Sequence, residues 1–194
     1  MKFLKILGIF MLILVVAASF TSLRKAIDND SDENKGSANR PSENDVIVYT
    51  EELTDVTPVS VDEDSRYAIV TLNRVDVSEY AYVVVSFEAI MPEADGQYNF
   101  SVNNCSFNML YEISGETEYE YFVFVCDGSN WYGYHDGDFQ SSEVYSTTEL
   151  NLVISFEEFI GVASGVHFDY IKVEAYDSNC GLTLEDIEAL YNVQ

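Results

Sequence analysis

The chain has 194 residues and a formal net charge of −25, room for one domain of ordinary size plus extras. Residues 1–45 hold six acids and six bases, whereas residues 46–194 hold 28 acids against Arg66, Arg74 and Lys172. A surface this acidic argues against nucleic acid and anionic membrane as partners, because phosphate binding needs Lys and Arg; it suits cationic partners, metal ions or a salty medium.

Residues 1–22 read as a targeting segment. Lys2 and Lys5 precede the apolar run ILGIFMLILVVAASF, and Ala17 to Ser19 offer small residues for cleavage. No charge occurs over the 18 residues from Ile6 to Leu23, and Arg24 and Lys25 follow. That is near the length that spans a bilayer, so a cleaved signal peptide and an uncleaved membrane anchor both stand. Either one places the rest of the chain outside the cytoplasm, secreted or anchored at the cell surface. Residues 23–45 are expected to form a disordered acidic linker. The stretch DNDSDENKGSANRPSEND lacks aromatics and has almost nothing apolar to bury.

From Val46 short β-rich runs recur, separated by turn residues: VIVY (46–49), RYAIVTL (66–72), AYVVVSF (81–87), QYNFSV (97–102), FNMLYEI (107–113), YEYFVFVC (119–126), WYGY (131–134), LNLVISF (150–156) and HFDYIKVEAY (167–176). Spacing near ten residues with alternating pattern predicts an all-β sandwich or barrel over 46–194. In Tyr119–Cys126 the second half is apolar on both faces, so this strand is expected to be central and covered on both sides. DGSN (127–130) has hairpin-turn chemistry, and HDGD (135–138) reads as the next exit turn at a rim. The chain is expected to close with a short amphipathic helix over 183–192. Thr183 is its N-cap, Asp186 completes a capping-box pattern, and Leu182 is placed to staple against Ile187.

Several of these stretches resemble known modules. VDVSEYAYVVVSFEA (75–89), YEYFVFVCDGSNWY (119–132) and HFDYIKVEA (167–175) are similar to strands of MAM-like secreted modules. FDYIKVEAYDSNCGLTLEDIEALYN (168–192) is similar to the C-terminal end of laminin-G-like domains. Both groups are concanavalin-like jelly rolls. The resemblance, over about Val75 to Asn192, implies a jelly-roll β-sandwich, a role in adhesion or glycan binding, and in many members a structural calcium ion. Two places depart from the pattern: Tyr170, where a second acid is common, and the run from Phe139 to Thr148.

Three sets of residues are candidates for chemistry. Trp131, Tyr132, Tyr134 and Tyr145, beside Asn130 and Gln140, have the makings of a glycan platform, since sugar rings stack on aromatic faces while amides bond their hydroxyls; core packing is the competing role and, for Trp131, the favoured one. Asp127, Asp136, Asp138 and Asp169 are candidate calcium ligands, with ordinary turn aspartates as the alternative. Asp169 is in phase with Ile171 and Val173 and is expected to point inward. Cys105 and Cys126 fall on consecutive strand candidates and are expected to form a disulfide if any pair does; three buried free thiols are the alternative. Catalysis is poorly supported. The acids of ETEYE (116–120) recur at period two and share one environment, whereas a glycosidase needs two carboxylates in different ones. His135 and His167 have no nucleophile-elbow serine to serve. The reading is an exported, non-catalytic binding or adhesion module for a glycan or a cell-surface partner. A self-associating structural surface protein is the second reading and a glycoside hydrolase the third.

Overall fold

The structure, a computed structural model, describes residues 46–61, 67–92, 95–112, 117–145, 150–157 and 165–193. The expected targeting segment (1–22) and linker (23–45) lie outside the described residues.

Among the described residues eleven strands build two antiparallel sheets. One sheet has six strands: β1 (Ile47–Val56), β11 (His167–Tyr176), β4 (Tyr82–Ile90), β7 (Tyr119–Cys126), β8 (Asn130–His135) and β9 (Asp138–Glu143), in that spatial order. The other has five: β2 (Val59–Ser60), β3 (Tyr67–Thr71), β10 (Asn151–Glu157), β5 (Gly96–Val102) and β6 (Cys105–Tyr111). The chain passes from one sheet to the other after β1, β3, β4, β6, β9 and β10. The result is the expected jelly-roll β-sandwich.

Alternation explains the layering. Inward-facing residues of both sheets, among them Val83, Val85 and Phe87 of β4, Tyr98 and Phe100 of β5, and Leu152 and Ile154 of β10, form one buried core. Phenylalanines join its two halves. The Phe122 ring of β7 lies 5.0 Å from Phe87 in its own sheet and 4.7 Å from Phe100 in the other. Gly133 of β8 faces inward against Phe107, Cys105 and Phe124, where any side chain would crowd.

β7 is covered on its outer face as well. Val123 and Val125 join Val84, Tyr176 and Cys180 in a second buried cluster, closed by Ile187 of helix α1 (Leu184–Leu190). Seven residues are too few for a stable helix alone, so capping and packing hold this one. Thr183 accepts from Asp186 N at 3.2 Å while Asp186 accepts from Thr183 N at 3.0 Å, the expected capping box. Beyond the helix, the Tyr191 hydroxyl donates to Glu174 at 2.6 Å, and Lys172 Nζ reaches the other carboxylate oxygen at 2.7 Å. Glu174 is buried, and these two partners are what such a charge requires. Burial and the Glu174 carboxylate together raise the pKa of Tyr191, so this hydroxyl stays a donor.

The cysteine expectation is corrected. Cys105 lies in the five-stranded sheet and Cys126 at the end of β7 in the six-stranded one, and both, with Cys180, are buried free thiols. The strands are consecutive in the chain, but the connection between them crosses the sandwich. Burial pushes Cys105 and Cys126 up to about 11, so they remain protonated and unreactive near neutrality. A chromogenic disulfide reagent at pH 8 should therefore find no fast-reacting thiol in the folded chain and three in concentrated guanidinium. A count of one after unfolding without reductant would show a disulfide instead.

Candidate functional site

The strands carry the predicted site residues to different places. Along β8, Trp131 faces inward and is fully buried in the core, so it offers no face to a sugar. Tyr132 and Tyr134 face outward. Tyr145, after β9, is 83% exposed, and Gln140 is exposed on β9. Asn130, half-buried, donates its backbone N–H to Asp127 at 2.7 Å. The aromatic platform read from sequence is thus split between the core and the outer face. Period-two alternation along WYGY makes the split inevitable.

The four aspartates do not gather. Asp127 caps the β7–β8 turn, accepting from Ser129 N at 2.8 Å, Asn130 N at 2.7 Å and the Tyr132 hydroxyl at 2.8 Å. Asp136 and Asp138 lie at the opposite end of β8, roughly 20 Å away at ~3.4 Å per residue. There His135 pairs with Asp138 across a two-residue turn in which Asp136 (φ 45°) and Gly137 (φ 82°) are both left-handed. That is a type I′ hairpin, for which Asp-Gly is among the favoured pairs. Asp169 is exposed, contrary to the inward direction expected. A bulge between Phe168 and Tyr170 in the pairing with β4 lets both Phe168 and Ile171 face the core, three residues apart, and breaks the phase that Asp169 would have followed. Among the described residues no group of three or more His, Cys, Asp or Glu is placed to hold a metal, and these four do not fit a calcium site.

What the fold does build is a cleft of about 570 Å³ between the β7–β9 end of the six-stranded sheet and the C-terminal helix. Tyr119 and Tyr121 of β7, Tyr134 of β8 and Phe139 of β9 give it aromatic walls; Phe139 is 53% and Tyr119 55% exposed. The Phe139 ring lies 5.4 Å from that of Tyr134. Four carboxylates line the same cleft: Glu120, Asp136, Asp138 and Glu188. Glu188 accepts the Tyr134 hydroxyl, tying helix to sheet, and burial raises the Tyr134 pKa. His135 stacks on Phe122 at 4.1 Å, approaches the Tyr121 carbonyl oxygen at 3.1 Å, and has Glu120 at 3.6 Å. Neither Lys nor Arg is among the lining residues.

Only Tyr134, Asp136 and Asp138 of this site were among the sequence candidates. Phe139 escaped because β9, DFQSSE, has no apolar alternation to mark it as a strand. Glu188 reaches the cleft through the docking of α1, which local pattern does not reveal.

No family model and none of the curated proteins matches the chain. Among solved structures the chain is similar to galectin LEC-6 of Caenorhabditis elegans, at 13% identity over 71% of this chain and 99% of that one, TM-score 0.38. It is similar to the binding domain of botulinum neurotoxin serotype D, at 14% identity over 79% and 53%, TM-score 0.40. It is also similar to a fructofuranosidase from Schwanniomyces occidentalis complexed with fructose, at 4% identity over 68% and 34%, TM-score 0.42. The chain thus spans about a third of the fructofuranosidase.

One consequence concerns pH. Burial is the largest influence on Glu120 and raises its pKa, with His135 acting in the opposite direction. A carboxyl raised in the folded state favours folding most below its unfolded value of about 4.3, and that contribution is lost as pH rises through the folded value. Glu120→Gln should therefore match the parent chain in melting temperature near pH 3.5 and exceed it at pH 7. A variant that melts lower than the parent at pH 7 would show that the ionised carboxylate is stabilising there.

Proposed function

We propose that the chain is an exported, non-catalytic carbohydrate-binding module whose ligand occupies the cleft beside α1. The observation that carries the reading is an open cleft pairing exposed aromatic rings, Phe139 and Tyr119, with carboxylates. Aromatic faces take the C–H side of a sugar ring, and carboxylates accept from its hydroxyls. With four carboxylates and neither Lys nor Arg in the lining, the cleft suits neutral or cationic sugars and repels acidic ones.

A glycoside hydrolase is the second reading, favoured by the raised pKa of Glu120 in a cleft that also holds Asp136, Asp138 and Glu188. Hydrolysis needs two free carboxylates flanking the bond to be cut. Here Glu188 is bonded to Tyr134, Glu120 is drawn towards His135, and Asp136 and Asp138 sit together, exposed, at one hairpin turn rather than on two sides of a bond, so binding is the better account.

A glycan array probed with the chain should return neutral or amine-bearing glycans and no uronic-acid or sialylated ones. Phe139→Ala should weaken the best ligand about tenfold, or ~1.4 kcal/mol, while Tyr145→Ala, outside the cleft, leaves it unchanged. Retention of full affinity by Phe139→Ala would overturn the site. Turnover of a bound oligosaccharide, abolished by Glu120→Gln, would replace binding with hydrolysis.

A further inference from the structure

We propose that the chain forms a two-fold dimer by antiparallel pairing of β6 with β6 of a second copy, joining the two five-stranded sheets into one. The proposal is independent of the cleft, which lies on β7–β9 of the other sheet.

Of the four strands that end the two sheets, β1 carries Glu51 and Glu52 and an irregular register between Ile47 and Tyr49. β2 is two residues long. β9 opens with Asp138 and closes with Glu143. These are the charges, irregularities and short lengths that keep exposed edges from pairing. β6 has none of them. CSFNMLY is seven residues without a charge, in unbroken register with β5 from Val102↔Cys105 to Gly96↔Tyr111.

Hairpin geometry says which backbone groups are left over. The pair flanking a two-residue turn exchanges both hydrogen bonds, and the exchange recurs at every second residue. The turn here is Asn103–Asn104. Cys105, Phe107, Met109 and Tyr111 therefore bond to β5, while Ser106, Asn108 and Leu110 direct their N–H and C=O groups outward. Asn108 is exposed and Leu110 is 75% exposed.

The strand is also self-complementary about its centre. With Asn108 on the two-fold axis, Asn108 faces its own copy, Ser106 faces Leu110, and Phe107 faces Met109. Inward residues then oppose inward residues, so core and outer face both continue across the junction. Asn99 Nδ2 already donates to Asn108 Oδ1 at 2.7 Å, leaving the Asn108 amide hydrogens for the oxygen of its counterpart.

This self-complementarity makes a second copy the occupant, and the charge distribution permits it. Each copy has a net charge of −25, so association through an acid-bearing surface is opposed. The outward face beside this edge is uncharged over Ser106, Asn108 and Leu110 of β6, Gln97, Asn99 and Ser101 of β5, and Asn151, Val153 and Ser155 of β10. Two copies meeting here keep their acids apart, and the remaining repulsion is screened by salt.

The test is sedimentation of the chain as recovered from the expressing cell. Raising NaCl from about 0.02 M to about 1 M shortens the screening length from tens of ångströms to about 3 Å and should double the sedimenting mass. Asn108→Asp keeps the acceptor for Asn99, so the monomer is preserved, but it sets two carboxylates about 5.5 Å apart, Cα to Cα, at the axis. It should raise the concentration for half-dimerisation at least tenfold. Asn108→Cys places two thiols at a separation a disulfide can bridge and should give a covalent dimer on mild oxidation. A chain that stays monomeric at every salt concentration overturns the proposal. So does a dimer unaffected by Asn108→Asp, or one dissolved instead by Gln140→Asp on the β9 edge.

Discussion

The structure depends on β7 being buried on both faces. Phe122, Phe124 and Cys126 belong to the core between the sheets, and Val123 and Val125 belong to the cluster under α1. A strand apolar on one face needs one covering layer; this one needs two. The five-stranded sheet supplies the first. The second is supplied by the C-terminal segment, which explains why so short a helix carries a full capping box and why a buried Glu174 is tied to both Lys172 and Tyr191. The cleft follows from the same arrangement. α1 covers the middle of β7 and β8, and past it the sheet runs on to Tyr119, Tyr121 and Phe139, whose rings are left at the open end.

Much of this was legible in the sequence because the signals are local. Nine runs with period-two alternation mark nine of the eleven strands, the double-faced apolarity of Tyr119–Cys126 marks its central place, and Thr183 with Asp186 marks the helix start. HDGD is decided by backbone geometry, since both central residues adopt positive φ and Asp-Gly tolerates it. The acid at that turn is thus a turn residue first, and its membership of the cleft is a consequence of where the hairpin ends.

The rest was hidden because it depends on packing between distant segments. β9 carries little apolar signal as an edge strand exposed along nearly its whole length. Asp169 looked inward because the β11 phase was read straight through a bulge that only the pairing with β4 reveals. Cys105 and Cys126 are free thiols in opposite sheets, a placement that consecutive strands in the chain do not reveal. Trp131 was weighed both as a sugar platform and as core, and the core role holds: it is one of the largest fully buried side chains. For Asp169 the residue type was read correctly and its direction was not.

The central claim, that the inner face of β7 is packed tightly against the five-stranded sheet, is tested most directly at Gly133. A Cβ there would lie 2.7 Å from Phe107 Cε2, 3.1 Å from Cys105 Sγ and 3.2 Å from Phe124 Cε1. Removing a glycine from a strand interior would otherwise favour folding by about 0.5–1 kcal/mol, so the sign of the effect is decisive. Urea unfolding of Gly133→Ala should show a loss of about 1–3 kcal/mol, the cost of overpacking, as a lower midpoint with an unchanged slope. A variant as stable as the parent chain, or more stable, would contradict the account.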